Sequence, residues 1–115
     1  MIPAKVLLAL FYFSLAAVLE IAGSYAVWMV FRLGKSQLWL IPGTVALLAF
    51  AFILTKVDVN AAGRAYAAYG GIYVTASIFW LWRIEGRLPD IWDISGVLLV
   101  LAGTLVMLAG RYAGG

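Results

Sequence analysis

Long apolar runs alternate with short polar segments along this chain of 115 residues. The apolar runs cover residues 6–31, 38–55, 65–82 and 91–109. A helix needs roughly 17–25 residues to cross the hydrocarbon core of a bilayer. The last three runs have this length, and the first is slightly long, which a tilted helix accommodates. The pattern therefore predicts an all-α fold, an integral membrane bundle of four transmembrane helices that forms one domain over residues 1–115.

The polar segments between the runs carry residues that end and start helices. Gly34 follows the first run and Ser36 precedes the second, so we expect Gly34 to end one helix and Ser36 to cap the next. Asp90 lies three residues before Asp93, a spacing related to the capping box. We expect both acids to mark the start of the last helix.

The composition argues against several other classes of protein for this chain. The chain is 66% hydrophobic and 11% charged, whereas a soluble domain is roughly half apolar and about a quarter charged. Its basic residues lie singly between apolar runs, so no stripe can follow a phosphate backbone and no nucleic-acid partner is expected. The chain has no cysteine and no histidine. We therefore expect no metal, no cofactor and no enzymatic activity, and proton chemistry falls to carboxylates.

The basic residues give no clear orientation in the membrane. One side holds the N-terminus, the second loop and the C-terminus, and the other holds the first and third loops. Each side carries four basic residues, so the bias that normally sets topology is absent. Either a single weak signal such as the first helix decides, or the chain inserts both ways and two copies pair antiparallel around a midplane site. The residues are Lys5, Lys56, Arg64 and Arg111 against Arg32, Lys35, Arg83 and Arg87.

Glu20 is the acid within the first apolar run, about 18–21 Å from either end at about 1.5 Å per residue. A charged side chain at that depth costs roughly 2.5–3.5 kcal/mol on insertion scales. Its helical neighbours include Ala16, Ala17, Gly23 and Ser24, which are small enough for a helix or a ligand to come close. Glu20 is either a permanently protonated acid that hydrogen-bonds another helix or a titratable site for a proton or cation. We favour the titratable site and include Ser24 in it.

The third run places tyrosines along one helical face. Tyr66, Tyr69 and Tyr73 lie at i, i+3 and i+7, and Ser77 and Trp80 extend that face. Phenol rings beside a carboxylate can hold an organic cation and hydrogen-bond the acid. The alternative is an interfacial aromatic belt. The belt explains Tyr66 and Trp80 better than Tyr73, which lies nearly half-way along the helix.

The fourth run carries a glycine seam, defined here as Gly96, Gly103 and Gly110, which recur every seven residues. In lipid, small residues at such spacing form contact surfaces between helices. We predict that this seam is the dimer interface. Packing against another helix of the same chain is the alternative.

Four stretches together resemble a known family. They are "LEIAG" in the first helix, "PGT" opening the second, "GRAYAAYGG" opening the third and "GVLLVLAG" in the fourth. The chain resembles the YnfA-like (UPF0060-type) family of four-helix inner-membrane proteins, which is itself similar to the small multidrug resistance transporters. The resemblance covers nearly the whole chain, and "GRAYAAYGG" is specific to the YnfA-like group.

The resemblance implies an antiparallel homodimer, multi-pass in the bacterial inner membrane, that exchanges protons for small cations. By position it implies that Glu20 binds both, that Tyr66 matches a tyrosine of the transporters, and that Tyr69 falls where multidrug members carry a tryptophan. The second helix departs from those members, because it lacks their polar and aromatic lining groups. The positions concerned are Leu47, Leu48 and Ala51.

The combined expectation is a proton-coupled exporter of small organic cations whose partners are a second copy, the bilayer, protons and the cation. A dual-topology ion channel and a non-transporting structural or regulatory membrane subunit are the alternatives. Arg64 either pairs with Asp58 at the surface or faces the chamber, where it would favour an anion.

Overall fold

The structure, a computed structural model, describes residues 4–58 and 62–112, the last two by their backbone alone. Every regular element in these residues is helical, which confirms the all-α prediction. Each main helix begins and ends within three residues of the apolar run that predicts it. The helices are α1 (Ala4–Arg32), α2 (Leu40–Leu54), α3 (Ala62–Arg83) and α4 (Ile91–Tyr112), and a 3₁₀ turn at Gln37–Trp39 leads into α2.

Glycines end α1 and α3 in the same way. Gly34 has a φ of +68°, and Lys35 N donates a hydrogen bond of 3.0 Å to the Met29 carbonyl. Gly86 has a φ of +73°, and the next amide bonds back across six residues. Both are left-handed caps of the Schellman type, which glycine adopts without strain. The predicted role of Gly34 is confirmed.

The starts of α2 and α4 use side-chain caps. Ser36 Oγ accepts a hydrogen bond of 3.2 Å from Leu38 N, so it caps the 3₁₀ turn ahead of α2. Asp90 N donates to Asp93 Oδ2 at 3.0 Å, and Asp93 N donates to Asp90 Oδ1 at 2.9 Å. The two acids therefore form a complete reciprocal capping box at α4.

Three described segments are both long and apolar enough to cross a bilayer, namely Ala4–Arg32, Gln37–Leu54 and Ile91–Gly110. At about 1.5 Å per residue, α3 is also long enough at about 33 Å. Its arginine, tyrosines and glycines make it the least apolar of the four helices. α3 contacts both α1 and α4, so the bundle offers its polar groups partners that lipid lacks.

Glycines also set the spacing between helices. A Cβ atom added at Gly23 of α1 would lie 2.8 Å from the carbonyl oxygen of Gly43 in α2, so the two backbones touch. A Cβ at Gly71 of α3 would overlap Thr104 of α4. Thr104 is only 1% exposed. Small residues let helices approach closely in lipid, where apolar side chains alone give little preference for protein over lipid.

Charged residues mark the two ends of the bundle. Lys5 Nζ lies 3.5 Å from Asp58 Oδ2, which links the start of α1 to the segment after α2. Arg64 is exposed near the start of α3. Basic and aromatic side chains concentrate at membrane–water interfaces, and here they stack together near helix ends. The cations lie 4.5–5.1 Å from the ring centroids in the pairs Arg32–Trp28, Lys56–Phe52 and Arg83–Trp82.

Candidate functional site

Glu20 lies near the middle of α1, facing α3. It is 16 residues from Ala4 and 12 from Arg32, or about 24 and 18 Å at 1.5 Å per residue. Its side chain is half-buried. Tyr69 Oη of α3 donates a hydrogen bond of 2.6 Å to Glu20 Oε1. Burying the Glu20 carboxyl group in an apolar helix is costly, and Tyr69 gives it a polar partner on another helix.

Aromatic rings from three helices fix the position of Tyr69, which is 6% exposed. The ring centroids of Phe13, Phe50 and Tyr73 lie 5.9, 5.7 and 6.0 Å from that of Tyr69. Such tilted pairs are favourable beyond the area they bury. The phenol is held by its ring, so its hydroxyl meets Glu20 in a defined geometry.

Phe50 is a contact of the cluster that the sequence does not single out. The sequence of α2 has no polar or aromatic group at the positions expected to line the site, yet α2 supplies this ring. Because α2 is apolar all round, no stripe identifies the face that meets the site. The only signal for this contact in the sequence is the presence of an aromatic residue within α2.

The structure brings three of the five predicted site residues together and leaves two outside the cluster. Glu20, Tyr69 and Tyr73 form a continuous cluster through the hydrogen bond and the ring contact described above. Ser24 is exposed and lies one turn after Glu20 on α1. Tyr66 is 58% exposed on the surface of this chain. Within one copy, therefore, Tyr66 is not part of the cluster.

An open groove between α1 and α3 adjoins this cluster, with a volume of about 270 Å³. Tyr25 and Trp80, both in its lining, contact each other edge to face, with centroids 5.4 Å apart and planes at 64°. Ser77 and Trp80, expected to extend the tyrosine face, both line it. We call it the aromatic groove, and its polar and aromatic lining comprises Ser24, Tyr25, Trp28, Tyr73, Ser77, Trp80 and Glu85.

The glycine seam lies on the exposed surface of α4. In the described part of the chain, no atom of another helix lies within 4 Å of the position that a Cβ would take at any of the three glycines. α4 instead buries Thr104 and Leu108, each 1% exposed, against the rest of the bundle. The seam is thus available to a second copy rather than occupied within this chain.

Comparison with known proteins places the chain in a family. The family described as "Uncharacterised BCR, YnfA/UPF0060 family" matches residues 6–113. A "UPF0060 membrane protein" of Methylocella silvestris is 60% identical over 99 residues, which cover 85% of this chain and 92% of that relative. No solved structure matches the chain. The chain therefore belongs to the YnfA/UPF0060 family and is a membrane protein, as the motifs in its four helices predict.

Proposed function

We propose that this YnfA/UPF0060 protein exports small organic cations across the bacterial inner membrane in exchange for protons. Glu20 is the shared site for proton and cation. The observation that carries the proposal is the 2.6 Å hydrogen bond between Tyr69 Oη and Glu20 Oε1, deep in an apolar bundle. Ionisable groups at such depth are costly and mark ion or substrate pathways.

Glu20 is the acid best placed for this role. The chain has five acids, and the other four lie in the connecting segments or the first turn of α4, namely Asp58, Glu85, Asp90 and Asp93. An exchanger needs one group that binds the proton and the cation in turn. Glu20 alone combines a carboxylate with a position near the middle of a spanning helix.

Tyr69 can accompany Glu20 through both states of that cycle. A phenol hydroxyl both donates and accepts hydrogen bonds. It donates to the carboxylate when a cation is bound, and it can accept from the carboxylic acid when a proton is bound. Glu20 Oε2 receives no hydrogen bond from the described residues, so it is the oxygen available to the cation.

A second copy completes the transport chamber in this proposal. The seam of glycines on α4 is exposed, and small residues are the usual contact surface between helices in lipid. The even distribution of basic residues supports insertion in both orientations. An antiparallel pair then relates its two copies of Glu20 by inverted symmetry across the midplane, the arrangement found in many transporters that work by alternating access.

Proton flux in proteoliposomes tests the function. Purified protein is reconstituted with a pH-sensitive dye inside, and gradients of amines, guanidinium compounds and quaternary ammonium ions are imposed. We expect at least one class to drive opposite proton movement with wild type, and none with Glu20→Gln or empty vesicles. Cation current without proton movement would establish a channel instead. No flux of either ion with any compound would leave a non-transporting subunit and overturn the proposal.

A further inference from the structure

Two apolar grooves lie on either side of Phe79 on the surface of α3. One runs between α1 and α3, has a volume of about 450 Å³ and includes Arg83 in its lining, and we call it the Arg83 groove. The other runs between α3 and α4, has a volume of about 420 Å³ and includes Pro89, and we call it the Pro89 groove. Thr75 and Phe79 line both grooves, so the two are separated by little more than one side chain.

The Arg83 groove has the depth of one leaflet of a bilayer. It extends along α3 from Ile72 to Arg83, which is about 17 Å at about 1.5 Å per residue. Half of a hydrocarbon core of roughly 30 Å is about 15 Å. Trp82 and Arg83 lie at the end of α3, and aromatic and basic side chains of this kind concentrate at the membrane–water interface. The groove therefore matches the reach of one lipid acyl chain below its headgroup.

Both grooves lead to the same cation. Trp82 lines the Pro89 groove and Arg83 lines the Arg83 groove, and the Arg83 guanidinium lies 5.1 Å from the centroid of the Trp82 ring. Phe79 is 58% exposed, so its ring forms a ridge between the grooves. Two acyl chains joined to one headgroup can thus lie on either side of Phe79 with the headgroup at Arg83.

The charged groups around the two grooves favour a negative headgroup. Arg83 is exposed, Arg87 directly precedes the lining of the Pro89 groove, and neither forms an ion pair with the described residues. Glu85 lies between them in sequence but lines the aromatic groove instead of these two. Asp90 and Asp93 accept backbone hydrogen bonds from each other in the capping box of α4. A phosphate suits the arginines, because a guanidinium can donate two parallel hydrogen bonds to it.

A lipid in these grooves leaves the glycine seam accessible. Ile94 of α4 lines the Pro89 groove, and Gly103 follows nine residues later. At about 3.6 residues per turn, that spacing is about two and a half turns. The groove and the seam therefore lie on opposite faces of α4, and a second copy on the seam does not compete with the lipid.

We propose that the two grooves hold the two acyl chains of one anionic phospholipid, of the phosphatidylglycerol type, whose phosphate binds Arg83 beside Arg87. Basic pockets between transmembrane helices are a recurring site for anionic headgroups. A choline headgroup carries its own cation to the same arginines, so phosphatidylcholine should bind less well. This site is independent of the proposed export of cations.

Native mass spectrometry of the purified protein tests the headgroup preference by competition between phosphatidylglycerol and phosphatidylcholine with identical chains. We expect wild type to retain phosphatidylglycerol in preference. Arg83→Gln should weaken its binding about fivefold, which corresponds to about 1 kcal/mol for one basic residue near an anionic lipid surface, and Arg83→Lys should keep most of the preference. Arg32→Gln is the matched control, because it removes an arginine that also stacks over a tryptophan but lines neither groove.

A second pair of variants tests the acyl chains. Phe79→Ala removes the ridge between the grooves and should weaken the binding of both lipids without changing their ratio. Phe11→Ala is the control, since Phe11 is 59% exposed, contacts a neighbouring ring as Phe79 does and lines neither groove. It should retain both lipids like wild type.

Three results would overturn the proposal. They are equal retention of the two lipids by wild type, equal losses in Arg83→Gln and Arg32→Gln, and lipid binding that Phe79→Ala leaves unchanged. Dimers that Phe79→Ala abolishes at every lipid content would instead identify the grooves as an interface between copies. The variants alter exposed side chains, so circular dichroism should show wild-type helicity. If Arg83→Gln does not fold, Arg87→Gln repeats the charge test in the segment after α3.

Discussion

Tyr69 Oη lies 2.6 Å from Glu20 Oε1, and this hydrogen bond joins α3 to α1 in the interior of the bundle. The distance falls in the range of about 2.5–2.7 Å for a hydroxyl that donates to a carboxylate. Tyr69 is buried among rings from α1, α2 and α3, so its position depends on the whole helix arrangement. The acid and the packed core are thus coupled through one phenol.

Tyr69→Phe should separate packing from hydrogen bonding. The ring that contacts Phe13, Phe50 and Tyr73 remains, so the melting temperature should stay close to wild type. The carboxylate loses its donor, and hydrogen bonds to charged groups contribute about 1.5–3 kcal/mol. Cation affinity at neutral pH should therefore fall at least about tenfold, measured by ligand titration. Tyr66→Phe is the matched control, since Tyr66 is 58% exposed, and equal losses in both variants would contradict a specific role for Tyr69.

Cation affinity should fall as pH falls, because proton and cation compete for Glu20. Glu20→Gln should fold and dimerise, since a neutral amide is less costly in the membrane than a carboxylate, but lose cation binding and proton release together. Glu20→Asp should keep both with an altered pH profile. Binding with simultaneous proton detection measures this, and wild-type behaviour of Glu20→Gln would make the residue structural.

Gly71→Ala should loosen the contact between α3 and α4, because the added Cβ overlaps Thr104. Overpacking of this kind costs roughly 1–3 kcal/mol. The adjacent Gly70→Ala is the control, since no neighbouring atom lies within 4 Å of its Cβ position in the described structure. Thermal unfolding in detergent should show a lower midpoint for Gly71→Ala alone, and Thr104→Gly should restore it. A midpoint that Thr104→Gly does not raise would show that the overlap is not the cause.

The sequence predicts the helices well because their signals are local. The length of each apolar run determines the length of its helix. Hydrogen bonds between residues at most six apart then define the helix ends, at Gly34, Ser36, Asp90 and Asp93. The pairing of Glu20 with an aromatic partner on α3 also follows, since an acid at that depth needs a polar neighbour. These features depend on one helix at a time or on the cost of burying one charge.

The remaining parts of the site depend on how helices rotate and approach. Tyr66 and Tyr73 share nearly the same angle on α3, seven residues apart, yet only Tyr73 contacts the cluster, because Tyr66 lies near the start of α3. Phe50 meets Tyr69 because Gly23 and Gly43 bring α2 close to α1. No periodicity within a uniformly apolar helix encodes that rotation.

Gly103→Leu should abolish dimers in mild detergent. The exposed seam on α4 lacks side chains, and a leucine at its centre holds two backbones apart. Gly70→Leu makes the same chemical change on α3 at a position that is also open, and it should leave the dimer content unchanged. Cross-linking and light scattering measure the oligomer. Dimers that survive Gly103→Leu would assign the contact to another face.

Topology offers the sharpest test of the antiparallel arrangement. With four basic residues on each side, neither orientation gains from the preference of Lys and Arg for cytoplasmic loops. A C-terminal reporter that is active only on one side of the membrane should therefore signal from both sides in the wild-type population. Two lysines inserted beside Lys35 should place that loop in the cytoplasm and restrict the signal to one side, while two glutamines at the same point should not.

If both orientations are needed for one dimer, the lysine variant should also lose proton-coupled flux. It should regain that flux when co-expressed with a variant fixed in the opposite orientation by two lysines beside Lys56. A wild-type reporter confined to one side would reject the antiparallel homodimer, because a chain with one orientation can only pair parallel.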